Sequence, residues 1–238
     1  MRFVILIYFI FIRSVLAQTV EPSMAVEKRM LQLEFESLYL VEKEAVEKIN
    51  SWSIPSVLMR YGVTTSIELQ VNVPLLKEAI YQEDRMVSSR TFLDKVQLGL
   101  SANLWKEKGV LPETAIMIRA LIPVYDNSNN DVGCLVALNM SNSLTDAVSL
   151  NYNFGWVSDE GEDSGYYIAN LAWDISSRVH TFVELFGSTY RGFEMTHNIN
   201  TGIGFNMGNS FCIDLSVANG LNQDMFYFGG VLTYQLNL

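Results

Sequence analysis

Nine ionisable residues fall on the small, polar side of alternating stretches of this chain: Glu34, Glu36, Arg60, Glu68, Arg119, Asp174, His180, Glu184 and Asp214. Charges on one face of a strand, in a chain poor in charge elsewhere, can line a water path and set which solutes pass. Arg60, Glu68, Arg119, Glu184 and Asp214 carry that expectation as lumen and selectivity residues. Arg60 and Glu68 flank the short turn Val63–Thr65 symmetrically, which predicts that they sit directly opposite one another as a cross-strand ion pair. Such a pair reads first as a clamp on the hairpin and second as a selectivity element. Arg119 and Glu184 follow their turns at similar distances, so they share one height. They could face each other across the interior or join a chain of charges that braces the wall and narrows the path.

The same residues do not read as an enzyme. Histidine is limited to His180, expected to point inward opposite Asp174, and His197, expected to open a strand near the loop end. A serine hydrolase needs a nucleophile, a histidine and an orienting acid, and no G-x-S-x-G motif occurs. Two histidines and two cysteines argue against a structural zinc site, and no metal or cofactor is expected. The acidic run SDEGEDSG (158–165) lacks EF-hand spacing and reads as a solvated loop. Cys134 and Cys212 fall on opposite faces and read as free thiols.

Alternation is what positions these side chains. In VSLNYNFGW (148–156), Val148, Leu150, Tyr152, Phe154 and Trp156 are large and apolar, whereas Ser149, Asn151, Asn153 and Gly155 are small or polar. That period of two is a strand with two different environments. Continued along the chain it predicts twelve strands: 28–40, 50–62, 65–74, 93–106, 113–123, 131–142, 145–157, 165–175, 178–189, 196–207, 210–218 and 224–238. Most are long enough to cross a bilayer at a tilt. Connections alternate between short (63–65, 108–113, SNSLT, SSR, GNS) and long, polar ones (41–49, 75–92, YDNSNND at 125–131, SDEGEDSG, the segment around Tyr190–Met195, NGLNQD). This is the layout of an up-and-down antiparallel barrel with one turn side and one loop side. The stretch 75–92 breaks the alternation. Leu76, Ala79, Ile80 and Glu83 have helical spacing there, and a short helix or an ordinary surface loop is expected. The five prolines fall near proposed strand ends, where a missing N–H costs little.

Composition decides which face meets which solvent. The chain is 49% hydrophobic and only 18% charged, against about 25% charged in soluble domains. No lysine follows Lys108, and Arg119, Arg178 and Arg191 are the only basic residues in 109–238. Soluble β-domains cover faces and edges with lysine. A transmembrane barrel, apolar face to lipid and Ser/Asn/Gly face to a polar lumen, accounts for both facts. A soluble barrel or sandwich would leave a long Asn/Ser/Gly surface almost bare of lysine. The net charge of −10 argues against a nucleic-acid partner, which wants a basic face.

Residues 1–17, MRFVILIYFIFIRSVLA, have a positive start, an apolar stretch and small residues before a cleavage point, as in a secretory signal peptide. The mature barrel domain is then 18–238, with both ends on the periplasmic side.

The run PSVLMRYGVTTSIELQVNVP (55–74) resembles the outer-membrane transporters of the MetA pathway of phenol degradation, which tend to carry L-R-Y-G, a turn and E-L. Leu58, Arg60, Tyr61, Gly62 and Glu68-Leu69 stand in those places, with Met59 intervening. ALIPVYDN (120–127) is similar to the family's proline-containing strand end. Phe182, Glu184 and Gly187 follow its F-x-E-x-x-G strand, and Asp214 with Gly220-Leu221 fits its C-terminal pattern. The resemblance implies an outer-membrane barrel and a transport activity, without fixing phenol as the solute.

The combined expectation is an all-β outer-membrane channel of about twelve strands that passes small, hydrophobic or aromatic solutes through a narrow charge-lined lumen. Its partners would be the outer-membrane bilayer, the solute and the barrel-assembly machinery. The alternative is a closed structural or binding barrel that acts through its extracellular loops.

Overall fold

In a computed structural model the alternation closes on itself. The structure describes residues 20–44, 47–124, 131–190, 194–208 and 210–238. The predicted signal at 1–17, the YDNSNND stretch through residue 130 and residues 191–193 lie outside the described residues. The strands are β1 (Met30–Glu44), β2 (Glu47–Gly62), β3 (Ile67–Gln82), β4 (Arg85–Leu93), β5 (Val96–Trp105), β6 (Glu113–Ile122), β7 (Gly133–Ser143), β8 (Val148–Asp159), β9 (Glu162–Ser176), β10 (Val179–Tyr190), β11 (Asn198–Met207), β12 (Phe211–Gly220) and β13 (Asp224–Asn237). Pairing is antiparallel throughout, and β1 pairs with both β2 and β13, which closes the ring. Among the described residues there is no helix.

Thirteen segments make twelve staves. Both β4 and β5 pair with β3: Leu75 lies opposite Leu93, and Asn72 opposite Gln97. They are one strand interrupted at Asp94-Lys95, where the Asp94 N–H still donates to the Pro74 carbonyl at 2.9 Å. The helix or loop expected at 75–92 is therefore a β-hairpin that carries β3 onward to Gln82. Its turn residues Glu83 and Asp84 both have positive φ (48° and 60°), the left-handed pair that fits a two-residue hairpin to strand twist. The helical spacing there lost to an available edge, because β2 extends beside it and pairs residue for residue from Glu47–Gln82 to Ser53–Leu76.

The loop expected at 158–165 is likewise a tight turn. β8 runs to Asp159 and β9 starts at Glu162, with Glu160 and Gly161 at positive φ. Two prolines lie inside strands rather than near their ends. Pro55 occupies the register break between Ser53 and Ser56, where a missing N–H breaks no ladder bond. Pro74 falls where β3 passes from one partner to the other.

The faces fall as the alternation requires. Phe154 is 53% exposed and Asn153 next to it 0%, and Trp173, Leu171, Val183, Val217 and Phe228 stand outward with Phe154. Twelve staves give an interior between the side-chain-filled eight-stranded barrel and the open sixteen-stranded pore.

Candidate functional site

The interior is not empty wall facing empty wall. Residues Val20–Lys28, ahead of β1, run down the lumen from mid-height to the turn-side rim. Arg29, at φ 67°, then reverses the chain into β1. Its N–H donates to the Gly62 carbonyl at 2.8 Å, and Lys28 bridges Gly62 in parallel. Gly62 makes this passage possible, since a Cβ there would overlap the carbonyl oxygens of Val26 and Glu27.

Side chains from six strands hold the segment. At its upper end the Val20 N–H donates to Glu184 Oε2 at 3.3 Å. Asn153 accepts the Glu21 N–H at 2.8 Å and donates back to the Glu21 carbonyl at 2.9 Å, as a neighbouring strand would. The Glu21 carboxylate meets Arg119 Nη2 at 2.6 Å. Lower down, Asn103 donates to the Ser23 carbonyl at 2.9 Å, Arg60 to that of Met24 at 3.5 Å, and the Val26 N–H to Glu68 Oε2 at 2.7 Å. Ser23 and Val26 are buried.

Four of the five predicted lumen residues therefore converge on one object. Arg60 grips Glu68 through Nε and Nη2 at 2.9 and 3.0 Å, with Glu34 3.6 Å away. The pair is diagonal rather than directly opposite. The turn is longer than expected, so Arg60 faces Gln70 and Glu68 faces Gly62, which leaves the space that the lumen segment occupies. Gln70 links the two arginine sites, donating to Glu68 at 2.6 Å and accepting from Arg119 Nε at 2.8 Å. Glu184 is fully buried and also accepts from Asn170 and Asn200. Arg119 and Glu184 are joined through Val20 and Glu21.

Asp214 stands apart. It pairs with His180 at 2.7 Å, not reached by the lumen segment. Asp174 is the register neighbour of His180 on β9, yet the imidazole turns the other way, across Gly204. His197 accepts or donates at Tyr167 Oη, 2.8 Å away, near the loop end. Asp159 and Glu160 of the acidic run are taken up by Lys95 at 2.5 and 2.9 Å. Cys134 and Cys212 are free.

Beside and above these polar residues part of the lumen wall is apolar, a feature the sequence reading missed. Leu40, Ile168, Phe186, Ala218, Met225 and Tyr227 form one buried cluster and Met117, Leu121, Leu135 and Ala137 another. Tyr166 packs on both, and Val20 packs on the first. The available signal was local loss of alternation: Leu38–Val41 and Met225–Phe228 are large on both faces. A small pocket remains between Glu36, Phe182, Asp214 and Tyr227, on the wall away from Arg119.

No family model matches the chain, and no curated protein matches it. Solved structures do. The COG4313 outer membrane channel from Pseudomonas putida F1 superposes with a TM-score of 0.71 at 10% identity, covering 92% of this chain and 100% of that one. The NanC porin gives 0.58 at 8% identity over 86% of this chain and 100% of its own. CymD, described as a monoaromatic hydrocarbon channel, gives 0.50 at 8% identity over 90% and 89%. Identity this low speaks of architecture alone, and the architecture is that of a twelve-stranded outer-membrane β-barrel.

Proposed function

We propose that this protein is an outer-membrane channel for small solutes, closed at rest by its own segment Val20–Lys28. One observation carries the reading: among the described residues the segment is held by side-chain hydrogen bonds and one ion pair, and its backbone meets the strands at its lower end, where the Met30 N–H donates to the Glu27 carbonyl and Lys28 bridges Gly62. A plug held in this way can leave without unpairing a strand of the wall. The apolar upper lumen with Tyr166, Phe186 and Tyr227 supports a solute with a small apolar or aromatic body. The resemblance to the MetA-pathway transporters supports the same class. Carboxylates of Glu21, Glu34, Glu36, Glu68, Glu184 and Asp214 outnumber the Arg60 and Arg119 guanidiniums in the lumen, which supports a preference for cations over anions. Export would follow removal of residues 1–17, with insertion by the barrel-assembly machinery.

The second reading is a permanently closed barrel that acts through its loops, favoured by the number of anchors on the segment. Single-channel recording of refolded 18–238 in a planar bilayer separates the two. Brief discrete openings with a cation-selective reversal potential are expected. Silence from a demonstrably folded barrel overturns the channel reading.

A further inference from the structure

One histidine and one cysteine of this chain's two each meet on the lumen wall, with an aspartate between them. His180 on β10, Gly204 on β11 and Asp214 on β12 form one lateral row of the sheet, register partner to register partner. Gly204 is the middle of that row, and a Cβ there would overlap both the His180 ring and the Asp214 carboxylate. Two strands that do not touch thus bring their side chains together over a third. Cys212, two residues before Asp214 on the same face, completes the group.

His180 Nε2 lies 2.7 Å from Asp214 Oδ1, and Cys212 Sγ lies 3.4 Å from Asp214 Oδ2. One ligand atom from each residue falls within 4.8 Å of the other two. All three are partly open to the lumen, and Asp214 borders the remaining pocket.

We propose that His180, Cys212 and Asp214 bind a divalent transition-metal ion of the zinc class at the turn-side end of the lumen. A thiolate and an imidazole favour zinc-like ions over magnesium or calcium, which prefer oxygen alone. Three protein ligands leave a fourth position for water or solute, as in open rather than structural zinc sites. On binding, the His180–Asp214 hydrogen bond is exchanged for metal bonds of about 2.0–2.2 Å and the thiolate bond of about 2.3 Å. The Cys212 thiol proton passes to water, while His180 binds as neutral imidazole and keeps its one proton on the ring nitrogen that faces away from the ion. A bound ion adds positive charge beside the part of the lumen that the Val20–Lys28 segment leaves free.

The same three residues could instead serve only to brace β10 to β12. Cobalt(II) titration of refolded 18–238 in detergent distinguishes the roles, because a thiolate bound to cobalt gives a near-ultraviolet charge-transfer band. The band is expected to saturate at one ion per chain and to be bleached by added zinc. It should vanish in Cys212→Ser and persist in Cys134→Ser. His180→Ala and Asp214→Asn should weaken binding at least about tenfold, the loss that even outer-shell changes cause at metal sites. Absence of the band in the unaltered folded protein overturns the proposal, and so does its persistence in Cys212→Ser. Cobalt binding of equal strength in His180→Ala would likewise reduce the group to a brace.

Discussion

Arg119 and Glu184 stand on β6 and β10, and two consecutive residues of the lumen segment join them. The Glu21 carboxylate lies 2.6 Å from Arg119 Nη2, while the preceding-residue N–H, that of Val20, donates to Glu184 at 3.3 Å. A cation and an anion on separated strands thereby act on the same short piece of chain. The lumen charges are arranged around an occupant.

Removing the Arg119 anchor should free that occupant. Losing one member of a buried charge pair costs about 3–5 kcal/mol, and each 1.4 kcal/mol or so is a factor of ten in an equilibrium. Arg119→Ala is therefore expected to raise the open fraction in bilayer recordings by roughly tenfold or more. Adding Glu21→Gln should change little further, because the two share one interaction. Additive effects of the two substitutions would separate Glu21 from Arg119 in function.

Gly62 tests the segment without touching a charge. A valine side chain there collides with the Val26 and Glu27 carbonyls, so Gly62→Val should expel the lower part of the segment and increase channel activity. The barrel's heat-modified gel migration should stay normal. An unchanged closed state in a folded Gly62→Val protein would mean that the segment is not what closes the path.

Glu68 is fully buried and satisfies Arg60, Gln70 and the Val26 N–H together. Glu68→Gln leaves the Arg60 guanidinium with the more distant Glu34 and the Met24 carbonyl and should lower unfolding stability by about 3–5 kcal/mol. The double change Arg60→Met with Glu68→Leu should recover much of that loss, since replacing both members of a buried pair is often near neutral. Urea unfolding from lipid vesicles provides the measurement, and a double variant no better than Glu68→Gln would reject the pair as the source.

The lipid-facing belt can be probed at Phe154. Phe154→Arg should destabilise the vesicle-inserted barrel by about 2–4 kcal/mol, the cost of a cation at the bilayer midplane. Val110→Arg, on a turn where Val110 is 98% exposed, should leave it unchanged. Equal effects at the two sites would remove the bilayer from the account.

The wall was legible in the sequence because lipid and lumen impose opposite demands on alternate residues, as Phe154 and Asn153 do. Where that contrast fades, the reading failed. Along β4 both faces are exposed from Arg85 to Thr91, so 75–92 shows no clear period of two and looks helical although it continues β3 and β4. In the upper lumen both faces are apolar, which hid Leu40, Phe186 and Tyr227 as interior residues. The lumen segment has no period at all, since each of its partners lies far away in sequence. The sequence points His180 toward Asp174 on the preceding strand; the space that turns it toward Asp214 is a property of Gly204, visible only once three strands are in register.

The segment lies inside a ring whose last pairing joins the chain's first strand to its last. That imposes an order on folding. If β1 met β13 before Val20–Lys28 was seated, the segment would have to feed back through a mouth already crowded with side chains. Seating it first lets Arg60, Glu68 and Arg119 find their partners while the wall is still an open sheet, and closure then completes the wall around it. The β1–β13 seam is thus expected to be the slow step of assembly, and the segment part of the template on which the barrel is finished.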